Sequence, residues 1–88
     1  MSVTTTVVLG AEHDRRTIDA AQWALKEIGA KRQSKSWGVG GSQEISREEW
    51  KAAEGVLVIE SETYLGLSVS GPEDLVAQIA QLIRLRLA

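Results

Sequence analysis

Val56-Leu57-Val58-Ile59-Glu60-Ser61-Glu62-Thr63-Tyr64-Leu65-Gly66-Leu67-Ser68-Val69 carries the clearest strand signal in this chain. A continuous apolar run and an alternating one flank the polar stretch Glu60-Ser61-Glu62-Thr63, which is short enough to close a hairpin. If Leu65, Leu67 and Val69 point at the core, pairing through a two-residue turn places Val56 and Val58 beside them. Leu57, Ile59 and Tyr64 then fall on the opposite face of the sheet. That face is expected to carry apolar side chains that the domain does not cover by itself.

Downstream, Ser70-Gly71-Pro72-Glu73 reads as a capping box with proline in the first turn. Leu75, Val76, Ile79, Leu82 and Ile83 then form an apolar stripe at helical spacing. Glu73 and Asp74 stand at the start of that stripe and Arg84 and Arg86 at its end, each sign matching the helix dipole. The helix is expected to run almost to Ala88, with Leu85 off its main stripe.

Upstream, residues 3–9 are rich in Val and Thr, which suit a pleated surface, and Gly10 interrupts them. Asp14 is a candidate N-cap for a helix in which Ile18, Ala21, Leu25 and Ile28 recur on one side, and Gly29 is the stop signal. Trp23 lies nearly opposite that stripe, beside Arg16, Asp19 and Glu27. Three placements suit it: plain exposure, packing under the segment 31–42, or service as an anchor for a partner, a role in which tryptophan is favoured.

Residues 31–45 are the least regular. Gln33-Ser34-Lys35-Ser36-Trp37 suits a short edge strand leading into the loop Gly38-Val39-Gly40-Gly41-Ser42. Ser46-Arg47-Glu48-Glu49 fits a capping box, which predicts about two turns of helix, or a tight turn, through Trp50 to Glu54. The resulting order, β-α-β-short α-β-β-α, implies an α+β two-layer sandwich. Its sheet is expected to have three to four strands, mostly antiparallel, with two long helices on one face, related to the ferredoxin-like arrangement.

With 88 residues, 43% of them apolar and 25% charged, the chain suits one domain spanning 1–88 with room for one core. A net charge of −2 supplies no general attraction for polyanions or anionic membranes. There is no cysteine, which excludes disulfides and thiolate chemistry. No apolar run approaches the roughly 20 residues of a membrane span, and the start lacks a signal-peptide pattern, so a soluble, cytoplasmic protein is expected.

Candidate chemistry is sparse. His13, the single histidine, sits between Glu12 and Asp14 where a strand passes into a helix, a place that often contacts ligands. With Gly40 and Tyr64, these residues define a possible small-ligand site, in which His13 would accept a proton and Tyr64 donate one. The plainer account is that Asp14 caps the helix while Glu12 and His13 are solvated. The glycine loop lacks the Lys-Ser/Thr of a phosphate loop. Lys31, Arg32 and Lys35 beside Trp37 combine charge with a stacking surface, yet three cations in a net-acidic domain are more often a solvated face, so nucleic-acid binding is disfavoured. No metal and no cofactor are expected.

The aromatic set of three Trp, one Tyr and no Phe gives every ring a polar atom. Apolar groups left over after the core is filled are Trp23, Leu57, Ile59, Tyr64 and Leu85. They point to a non-enzymatic protein-binding or oligomerisation module, a homodimer or a complex with another protein. A small-ligand-binding protein or enzyme is the alternative.

Overall fold

The computed structural model describes residues 4–11, 14–40, 43–62 and 66–87. They form strand β1 (Thr4–Gly10), helix α1 (Arg15–Glu27), strands β2 (Lys31–Gly40), β3 (Gln43–Ala52), β4 (Gly55–Glu62) and β5 (Gly66–Pro72), and helix α2 (Glu73–Leu87). The sheet order is β1-β5-β4-β3-β2 and every neighbouring pair is antiparallel. The α+β class expected from the sequence holds, with a sheet of five strands rather than three to four. Among the described residues no helix is long and apolar enough to cross a membrane.

The extra strand is built where a short helix was expected. Ser46-Arg47-Glu48-Glu49-Trp50 lies inside β3, paired with β2 from Lys31↔Lys51 to Gly40↔Gln43 and with β4 from Ile45↔Glu62 to Ala52↔Gly55. A capping box satisfies two backbone donors, whereas a central strand satisfies its donors and acceptors along both edges and buries Trp50 and Ala52. The tertiary ladders override the local signal. The β2–β3 pairing runs out to Gly40 and Gln43.

The second correction concerns which residues of β4 face the core. Ile59 pairs with Val69 and Glu62 with Gly66, leaving three residues, not two, between the strands. Because side chains alternate, that one-residue difference exchanges the two faces of β4. Leu57 is completely buried in the core and Ile59 packs against it, while Val56 is 41% exposed on the other side. Leu57 and Ile59 therefore do not line an outward apolar face.

Helix α1 forms where its signals stand. The Asp14 carboxylate accepts from Thr17 N at 3.4 Å and from Thr17 Oγ1 at 2.9 Å. At the other end Gly29 takes φ +76°, its N–H bonds Lys26 O at 3.0 Å, and the Ala30 N–H bonds Leu25 O at 2.9 Å. Both Schellman bonds are thus present, and the apolar pair Leu25 and Ala30 is buried beside them.

Trp23 is not directed away from the fold. α1 lies beside α2 and shares a buried cluster with Trp50, Leu57 and Val69 of the sheet, so its buried arc extends past the sheet-facing stripe to Ala20 and Ala24. These small side chains allow close approach of α2, and Trp23, half-buried, packs against the core with the Arg86 guanidinium 5.1 Å from its ring centroid. Arg16 Nη2 donates to the Leu87 carbonyl at 3.4 Å, so α1 starts where α2 ends. The core lies between this antiparallel helix pair and β1, β5, β4 and the inner half of β3: Leu57, Val69, Val76 and Ile79 are fully buried at its centre, each contributing about 1.5–3 kcal/mol of transfer free energy.

Candidate functional site

The two helices cover only part of the sheet. α2 packs against β1, β5 and β4 and α1 lies alongside it, while residues 31–38 of β2 are exposed. On the helix-facing side of the β2–β3 pair, register and alternation place Ser46, Glu48 and Trp50 from β3, next to Trp37 and Lys35 from β2 and Ile59 and Ser61 from β4. A groove of about 250 Å³ opens between these residues and Ile18, Ala21 and Leu25 of α1.

The groove has an apolar floor and a polar rim. Trp50, 7% exposed, forms part of the floor, and its indole Nε1 donates to Glu48 Oε1 at 3.1 Å. Glu48 also lies 3.8 Å from Arg32 Nη1, so its charge is balanced within the wall. Ser46 and Ser61 face each other across β3 and β4. Trp37 stands at the outer lip and is 65% exposed, the most solvent-exposed tryptophan of the three. Among the described residues no buried side-chain polar atom lacks a hydrogen-bond partner.

A bulge sets the chemistry of the outer lip. The β2–β3 register shifts between Arg32 and Ser34, so Arg32 is opposite Trp50, Lys35 opposite Glu48 and Trp37 opposite Ser46. In a regular strand Arg32 and Lys35 would point to opposite faces; the extra residue turns both cations and Trp37 to the groove side. Residues 31–38 of this free edge are all exposed.

The opposite face of the sheet is largely polar. Thr6 Oγ1 and Ser70 Oγ share a hydrogen bond at 2.8 Å, and Arg47 lies 3.6 Å from Glu60 and 3.5 Å from Glu49. Val8, Val56 and Ile45 are its exposed apolar members. The expected surplus apolar face is therefore not here.

The residues named from sequence separate into groups. Glu12, His13 and Tyr64 lie outside the described residues. The segments that carry them follow β1 and β4, strands that run in the same direction and finish at one end of the sheet, where Gly10 and Gly66 are in van der Waals contact range. Gly40 ends β2 at that same end, two strands beyond β4. Asp14 is committed to capping: its hydrogen bonds from the Thr17 side chain and backbone hold its pKa below the ordinary carboxylate value. Leu85 is exposed on α2.

Sequence reasoning missed Trp37 and Trp50 as two walls of one groove. A signal was present, since Ser46, Glu48, Trp50 and Ala52 alternate with Arg47, Glu49 and Lys51 as a strand does. Among the described residues no three His, Asp or Glu side chains gather as a metal site would require. Compared with family models, with curated proteins and with solved structures, the chain matches none.

Proposed function

We propose that this chain is a non-enzymatic protein-interaction module that takes an extended, acidic segment of a partner along β2, with one apolar side chain of that segment anchored in the groove. The observation that carries this reading is Trp37, largely exposed on a free edge strand at the mouth of an apolar groove. A strand edge offers unpaired backbone groups, and an adjoining pocket selects side chains; together they are the elements of recognition by strand addition. At about 250 Å³ the groove is smaller than the roughly 300–1,000 Å³ of ordinary small-molecule sites and suits an anchor residue better than a whole ligand.

Charge selects the partner. Arg32 and Lys35 share the groove side with Trp37, and residues 31–40 contain no acid. A peptide with alternating acidic residues and a central leucine is the appropriate probe, titrated against tryptophan emission. Saturable binding is expected, weakened about tenfold or more by Trp37→Ala and by the double change Arg32→Ala with Lys35→Ala. Binding that survives both variants, or a preference for a single-stranded oligonucleotide, would overturn the reading.

A further inference from the structure

We propose that β1 is a self-assembly edge, pairing antiparallel with β1 of a second copy to give a continuous ten-stranded sheet. Among the described residues the sheet ends in two unpaired edges, β1 and β2, and they differ in what defends them. β2 carries Lys31, Arg32 and Lys35 and has its bulge between Arg32 and Ser34, near the start of the strand. These are the devices that keep an exposed edge from pairing with its own kind, since a second β2 would bring three further cations alongside the first three.

β1 has no such defence. Thr4–Gly10 contains no charged residue and no proline, and consists mainly of β-branched side chains. Thr4 to Val8 pairs residue by residue with Pro72 to Ser68, so five consecutive positions are regular, and the irregularity comes only between Val8 and Gly10. Val8 is 63% exposed on the face away from the helices, and Val7 is at the margin of exposure on the other. An uncharged, regular edge flanked by exposed valines is the feature that natural sheets otherwise avoid leaving open.

Symmetry narrows the occupant to a second copy in one arrangement. Pairing β1 with β2 of another copy is head-to-tail and leaves both end edges free to continue, giving a filament. Pairing β1 with β1 is closed, and the exposed ends of the doubled sheet are then the charged β2 strands. Antiparallel pairing requires the two-fold axis to stand normal to the sheet, which keeps both helix layers on the same face. α2 is the helix packed against β1, so the two α2 helices flank the junction, bringing with them Leu85, the exposed apolar residue of that helix.

The test is independent of the groove. Sedimentation equilibrium of the whole chain at micromolar concentration should give a dimer. Val8→Lys, at an exposed position whose change leaves the fold intact, should weaken it about tenfold or more, while Trp37→Ala should leave it unchanged. Because the chain has no cysteine, single variants Thr4→Cys, Thr6→Cys and Val8→Cys can form only intermolecular disulfides. Mild oxidation should link at least one of them and not Ser36→Cys on β2. A monomer, a dimer indifferent to Val8→Lys, or cross-linking at Ser36→Cys alone would overturn the proposal.

Discussion

Trp50 and Glu48, two residues apart on one face of β3, are joined side chain to side chain, the indole Nε1 donating to the carboxylate at 3.1 Å. The bond satisfies the polar atom of a buried ring and fixes the carboxylate as a wall of the groove. Glu48→Ala removes the acceptor of a buried donor, and a stability loss of roughly 1–3 kcal/mol is expected from urea denaturation. Glu48→Gln retains an acceptor and should lose less. Equal losses for the two variants would show that the bond does not support the fold.

The pairing of Ile59 with Val69 fixes the two faces of β4 and yields a contrast between adjacent residues. Leu57→Ala empties a fully buried site and should cost about 2–5 kcal/mol. Val56→Ala, on the exposed face, should change stability by only about 0.5 kcal/mol. Denaturation midpoints of the two variants decide between this register and one shifted by a residue, which would reverse their order.

Asp14 contributes a pH dependence whose sign follows from its cap. Hydrogen bonds from the Thr17 side chain and backbone lower its pKa in the folded state relative to the unfolded chain. Its contribution is therefore complete above the ordinary carboxylate value and lost as pH falls through the lowered folded value. Asp14→Asn keeps a capping acceptor and removes the titration. The gap in melting temperature between wild type and Asp14→Asn should change through the acid range and stay constant near neutrality; a constant gap throughout would refute the assignment.

Gly29 and Gly66 both adopt positive φ, +76° and +87°, but in different surroundings. A Cβ at position 29 meets nothing within 4 Å, so Gly29→Ala should cost only the left-handed backbone penalty of about 1–2 kcal/mol. A Cβ at position 66 would collide with the Gly10 carbonyl oxygen, which belongs to the neighbouring strand. Gly66→Ala should be the more destabilising by thermal melting, and equal melting temperatures would show that β1 yields there.

Local signals in the chain were sufficient for several elements. Asp14, the apolar spacing and Gly29 delimit α1 because capping and helix termination are satisfied by residues a few positions apart. The Val-Thr run, the Val56–Ile59 run and the Leu67–Val69 alternation mark β1, β4 and β5, and the charge-polarised apolar stripe marks α2. Of the candidate site, the sequence showed its ingredients, Trp37 with Lys35 and Arg32, without their common direction.

What only the tertiary structure decided was which side each residue faces and what stands opposite. The parity of β4 depends on one residue in a loop, and side-chain alternation has no memory of direction beyond the strand. The same holds for β3, whose capping-box residues become a central strand because two ladders form on either side of it, and for Trp23, covered by a helix more than 45 positions later in the chain. Local chemistry determined where this chain bends and coils; long-range pairing determined that its uncovered apolar surface is a groove at Trp37, because only the assembled sheet shows how far it extends beyond its helices.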